Sequence, residues 1–247
     1  MESDQPFQLN LEFVKKLAHD IKGPVGNTVM FSQLLEEKLN MLEANASEQN
    51  RDEVAHVKEL SYTIVQINKK LLTQLQCWVD AFEMDHGSIE VEKTGVAAGE
   101  IVEEVKEMNR IYLDKKRIEL NTEQIDRDAV LNGSKNLLFQ ILDQLITLSI
   151  TFAEQNSSIK VKGGKDEAYY RFSVVDHYQG NRDSAIRRYT EPPGSIDTQL
   201  PEEGILKSAA FGMIFCNLAI ENMGGEKGVD HTADGNSTEF WFTVPVS

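Results

Sequence analysis

The chain has 247 residues, of which 40% are hydrophobic and 26% charged, the composition of a folded water-soluble protein with room for one large core or two modest ones. A formal charge of −15 disfavours nucleic acid and anionic membrane as partners held by non-specific attraction. Cys77 and Cys216 lie far apart and match no metal spacing, and no apolar run is long enough to span a bilayer. With no signal-peptide pattern at the N-terminus, the expectation is a cytoplasmic chain with free thiols and no transmembrane sensor.

Residues 1–6 read as a disordered start. From about Phe13 the chain reads as an amphipathic helix. Val14, Ala18, Ile21, Val25, Val29, Ser32, Leu35, Leu39 and Leu42 recur at three- and four-residue steps and share a stripe. His19 sits just off that stripe, with Lys15, Lys22, Gly23 and Gly26. Pro24 removes a backbone donor and is expected to kink or loosen the helix there. Asp20 follows the histidine directly and can orient one ring nitrogen, leaving the other as a nucleophile.

The segment Glu43–Asn50 is polar and loop-like, with Ser47 or Asn50 as helix cap. A second helix runs from about Asp52 to Phe82, its apolar residues being Val54, Val57, Leu60, Ile64, Ile67, Leu71, Leu75, Trp78 and Phe82. Two such helices and a short loop make an antiparallel hairpin with apolar surface to spare. A homodimeric four-helix bundle is the expected way to bury it.

After the helix stop Asp85-His86-Gly87 the texture changes. Ser88–Lys93 alternates as a strand, Glu100–Leu113 is helical and Arg117–Leu120 is a strand. Asn132-Gly133-Ser134 caps an apolar helix reaching about Phe152. Ile159–Lys162 and Tyr169–Val175 read as a hairpin turning at Gly163-Gly164. The stretch His177–Ser208 reads as loop, Phe211–Met223 as a helix stopped by Gly224-Gly225, and Thr238–Val244 as the last strand. The expected fold class is α+β: the helical hairpin over 1–86, then a sandwich of one sheet and one helical layer over 87–247.

The run His19-Asp20-Ile21-Lys22-Gly23-Pro24-Val25 matches seven ordered positions and resembles the phosphoacceptor box of two-component sensor histidine kinases. The link Gly87–Lys93 and the segment Ile205–Ser247 resemble the start and close of that family's ATP-binding domain, so the resemblance covers nearly the whole chain. It implies catalytic roles for His19 and Asp20 and a response-regulator receiver domain as partner. It also implies a nucleotide site at Asp176, Gly180 and Gly212, with Asp176 reading the adenine amino group.

That site departs from the pattern. Gln144 and Leu148 stand at the two positions where the resemblance expects Asn, and an apolar Leu148 cannot bind Mg²⁺. Tyr178 replaces one glycine beside Gly180, and Ala210 replaces another before Gly212. No metal-binding residue is therefore assigned, and ATP binding is expected to be weak or absent, leaving an ATP-independent phosphotransfer protein. Alternatives are an ATP-dependent autokinase, with Gln144 or Asp143 giving an unusual metal geometry, and a non-catalytic scaffold for receivers or kinases. Gly23, at the position where that family's phosphatase chemistry needs Thr or Asn, argues against strong phosphatase activity.

Overall fold

A computed structural model describes residues 11–44, 50–85, 87, 92–177, 183–190, 204–231 and 237–246, with backbone alone at 11–17, 20, 24, 44, 184, 188 and 204–210. Two compact units divide the chain, one within Leu9–Val79 and the other within Asp80–Ser247.

The first unit is built from helix α1 (Leu11–Ala44) and helix α2 (Arg51–Asp85) up to Val79. The Lys22 ammonium donates to the Gln76 amide oxygen. The Ser61 hydroxyl donates to the Ser32 carbonyl at 2.9 Å, and Lys58 pairs with Glu43 at 2.9 Å. Numbers rising on one helix as they fall on the other make the hairpin antiparallel, as expected. Its seam on α1 takes Ala18, Ser32 and Leu39, on α2 Ser61, Val65, Leu75 and Val79, all buried. The α1 helix runs unbroken through Pro24, whose missing N–H costs one hydrogen bond without ending the helix. Residues 45–49, including Ser47, lie outside the described residues.

Most of the apolar stripe read on the second helix faces away from this seam. Val57, Leu60, Ile64, Ile67, Leu71 and Trp78 are exposed, as are Met30, Phe31, Leu34, Leu35, Met41 and Leu42 on α1.

In the second unit, Gly87 adopts φ 62° and its N–H bonds the Met84 carbonyl at 3.0 Å, which terminates α2. Strand β1 (Thr94–Ala97), helix α3 (Ala98–Lys116), strand β2 (Glu119–Ile125), strand β3 (Val130–Gly133) and helix α4 (Lys135–Phe152) follow. Then come β4 (Ser158–Asp166), β5 (Tyr169–His177), α5 (Asp183–Thr190), α6 (Gly204–Met223), β6 (Lys227–His231) and β7 (Ser237–Pro245). The main sheet has the order β2-β4-β5-β7-β6, parallel only between β2 and β4, and β1 pairs β3 in a small second sheet. Helices α3, α4 and α6 cover one face, giving the expected two-layer α+β sandwich.

Alternation selects that face. Tyr170, Phe172 and Val174 on β5 and Phe240, Phe242 and Val244 on β7 all point to it and are buried. Ser134 caps α4, accepting from the Leu137 N–H at 3.5 Å. At the far end of α6, Gly224 takes φ 79° and the Gly225 N–H bonds the Ile220 carbonyl, so this helix stops where the sequence indicated.

Three expectations change. The first strand lies at Thr94–Ala97, whereas Lys93 precedes it and 88–91 lie outside the described residues. The span read as loop after His177 contains α5 and the first turns of α6. The Gly163-Gly164 pair is not a turn: it sits inside β4 opposite Phe172 and Arg171, and the chain reverses at Glu167, with φ 51°. Gly163 serves close approach instead. A Cβ there would lie 2.8 Å from Cε1 and 2.9 Å from Cζ of Tyr170, whose hydroxyl reaches across to the Asp126 carbonyl at 3.0 Å.

Gly163→Ala therefore lowers unfolding free energy by about 1–3 kcal/mol in denaturant titration. Gly164→Ala, where a Cβ meets nothing within 4 Å, changes it by less than about 0.5 kcal/mol.

Burial raises the phenol pKa of Tyr189, and burial together with a nearby carboxylate raises those of Tyr170 (Asp126) and Tyr112 (Asp143). Unfolded tyrosines lose their protons near pH ~10 while these stay protonated in the fold. The unfolded chain then binds fewer protons, so stability is unaffected by these groups below that pH and falls above it. A 295 nm titration is expected to show Tyr112, Tyr170 and Tyr189 ionising late, concurrent with unfolding.

Candidate functional site

The first candidate lies on the hairpin. His19 is exposed on α1. The neighbouring glycines of its face, Gly23 and Gly26, would each accept a Cβ without meeting any atom within 4 Å. An imidazole on a packed helix with bare backbone beside it is accessible to a large partner. Lys22, one turn on, is half-buried and held by Gln76 of α2. Asp20 follows His19 in the helix, and its side chain lies outside the described residues.

The second candidate lies in the sandwich. Asp176 is 1% exposed near the end of β5, on the helix-covered face. It pairs in register with Ile159 of β4 and Thr238 of β7. Antiparallel partners share a face, so the Thr238 side chain stands beside that of Asp176. Thr238 is fully buried, and among the described residues its hydroxyl has no hydrogen-bond partner. Sequence reasoning missed Thr238. Its parity with Phe240 and Phe242 was the available signal, but only the strand register brings it to Asp176.

On the helical side, Leu148 is 2% exposed, packed in the apolar face of α4. Gln144 lies against α6 so closely that a Cβ at Gly212 would overlap its amide oxygen. Gln144 and Gly212 are thus brought together, while Gly180 and Tyr178 lie outside the described residues. Asp143 turns elsewhere: its carboxylate accepts from the Asn109 amide of α3 at 2.7 Å, in full burial. Among the described residues no group of three or more His, Cys, Asp or Glu side chains could hold a metal ion. Of the remaining histidines, His56 and His231 are exposed, and exposed His177 bonds Ser237 at 2.6 Å; His86 lies outside the described residues. A groove of about 230 Å³ between α3 and β2, lined by Lys106, Arg110 and Leu120 among others, shares none of the predicted site residues.

No model of a known protein family matches the chain. It is 24% identical over 258 residues to the hybrid signal transduction protein dokA of Dictyostelium discoideum, covering 100% of this chain and 14% of that protein. It is 21% identical over 250 residues to the sensor protein GacS of Pseudomonas syringae pv. syringae, covering 99% of this chain and 26% of that protein. The chain thus spans about a quarter or less of these curated relatives. Among solved structures it is similar to full-length ShkA in complex with AMPPNP, with a TM-score of 0.58, 20% identity, and coverage of 97% of this chain and 47% of that one. The chain is thus similar along its length to sensor kinases, and its fold is that of solved histidine kinase structures. Among the described residues, no helix is long and apolar enough to cross a membrane.

The lone hydroxyl of Thr238 gives a simple test of how this end of the sandwich is built. Thr238→Val keeps the volume and removes a buried group without a partner, so the apo chain gains about 1 kcal/mol in thermal or chemical unfolding.

Proposed function

We propose that the chain is an ATP-independent phosphotransfer protein of two-component signalling, in which His19 exchanges a phosphoryl group with the aspartate of a response-regulator receiver domain. The observation that carries this reading is the exposed His19 in an intact box, with open space over Gly23 and Gly26. Asp20 orients the ring, and the receiver supplies its own metal. Gly23 leaves no side chain to position water for dephosphorylation, which favours transfer over hydrolysis. On this reading the phosphotransfer hairpin spans 1–86 and the sandwich 87–247.

The exposed apolar residues of α1 and α2 support pairing with a second copy into a four-helix bundle. The sandwich keeps Asp176 and Gly212, but the group that this fold family binds does not fit the residues present. An Mg²⁺-triphosphate needs oxygen or nitrogen ligands from α4, and Leu148 offers none while the Gln144 amide is packed over Gly212. Without the metal, phosphoryl transfer from ATP loses several kcal/mol of electrostatic stabilisation. Asp176 beside Thr238 favours one second reading, an autokinase that still takes up purine nucleotide.

The two readings separate in one labelling experiment. Phosphorylated receiver domain is expected to transfer acid-labile phosphate to the wild-type chain and none to His19→Gln, while labelled ATP with Mg²⁺ leaves both unlabelled. Autolabelling of His19 from ATP would establish the second reading. No transfer from any of a panel of phosphorylated receivers would refute the first.

A further inference from the structure

His19 and Lys22 stand three residues apart on α1, a spacing that makes side chains neighbours on one helix face. A lysine on a single exposed helix is free to sample many rotamers, and its charge is strongly hydrated. Lys22 is instead half-buried, and its ammonium donates to the amide oxygen of Gln76 on the opposing helix. A neutral amide holds the ammonium without cancelling its charge, as a carboxylate at position 76 would in part. The result is a cation fixed one helical turn from the exposed imidazole, on a chain whose formal charge is −15.

We propose that Gln76 is a positioning residue that holds the Lys22 ammonium beside His19, where it stabilises the phosphoryl group as it forms on the imidazole. This rests on the reading of His19 as the phosphoryl carrier. In the transfer, a ring nitrogen of neutral His19 attacks phosphorus, the bond from phosphorus to the receiver carboxylate oxygen breaks, and the carboxylate leaves with the electron pair. The new P–N bond makes the ring an imidazolium bearing a dianionic phosphoryl group. The adjacent ammonium offsets that negative charge both in the transition state and in the product.

The test uses the full chain and a small donor that needs neither ATP nor a receiver. Potassium phosphoramidate phosphorylates imidazoles with loss of ammonia, and 31P NMR follows the phosphohistidine, with His19→Gln identifying the signal among the five histidines. Lys22→Met and Gln76→Leu are expected to slow labelling of His19 about tenfold, Gln76→Glu to slow it by a smaller factor because the carboxylate partly cancels the ammonium's charge, and Lys22→Arg to stay within about twofold of wild type. Circular dichroism on each variant checks that the helices persist. Wild-type rates in Lys22→Met or Gln76→Leu overturn the proposal, as does Lys22→Arg as slow as Lys22→Met, because the effect would then be packing and not charge. Lys22-dependent labelling in a chain that accepts nothing from phosphorylated receivers supports the held cation and overturns the relay.

Discussion

Aromatic packing along the β5–β7 pair holds the second unit in register. Tyr170 and Phe172 sit with ring centroids 4.7 Å apart, Phe172 and Phe242 at 5.2 Å, and Tyr189 of α5 meets Phe240 edge-on at 5.5 Å. Ring pairs of this kind add about 0.5–1.5 kcal/mol each beyond the area they bury. A one-residue slip of β7 against β5 would turn Phe240 and Phe242 to the outer face, away from Phe172 and Tyr189. The same register brings Asp176 opposite Thr238. The candidate nucleotide end of the sheet is thus a by-product of a pairing that aromatic burial enforces, and that end keeps its shape whether or not anything binds there.

This independence explains how the helical side can differ while the fold stays. An Asn at position 148 would be a polar group in the middle of an α4 face otherwise made of Leu145, Ile141 and Leu142, all fully buried. Leu148 continues that face and adds to the core. Two of the polar side chains that α4 buries have partners on other helices: Asp143 accepts from the Asn109 amide of α3, and the Gln140 amide donates to Asp80 of α2 at 3.2 Å. A leucine at position 148 therefore adds to the core of the sandwich at no cost to its packing.

The sequence showed clearly what depends on local pattern. The helices, their stops at Gly87 and Gly224, and the exposure of His19 follow from spacing, capping and polarity, and so does the inner face of β5. What it hid depends on distant partners. Gly163 looks like a turn residue until Tyr170 is seen lying across it, and Glu167 has nothing in its type that announces a left-handed turn. Strands β3 and β6 are too short to alternate persuasively and exist because β1 and β7 pair with them. Helix α5 is eight residues in a polar stretch, and it is recognisable only through Ala185 and Tyr189, which are buried. Thr238 was invisible as a site residue for the same reason: register, not composition, sets what stands beside it.

The hairpin carries a subtler lesson about periodicity. The most regular apolar repeat on α2, Val57-Leu60-Ile64-Ile67-Leu71, advances by alternating three- and four-residue steps, the repeat of a coiled-coil seam. Yet the seam that joins α2 to α1 uses Ser61, Val65 and Leu75, with a serine hydroxyl bonded to the Ser32 carbonyl inside it. A hairpin seam is closed by a loop of a few residues, so its register needs little apolar reinforcement, and polar side chains can occupy it at small cost. A face that must recruit a separate molecule has no such tether and must supply its association energy from buried area. The stronger hydrophobic repeat therefore belongs on the outward side. Among the described side chains of α1, the exposed large apolar residues begin at Met30, three turns beyond His19. Beside His19 the described neighbours on its face are Lys22, Gly23 and Gly26, so the exposed imidazole and the exposed apolar residues from Met30 on occupy different stretches of one helix.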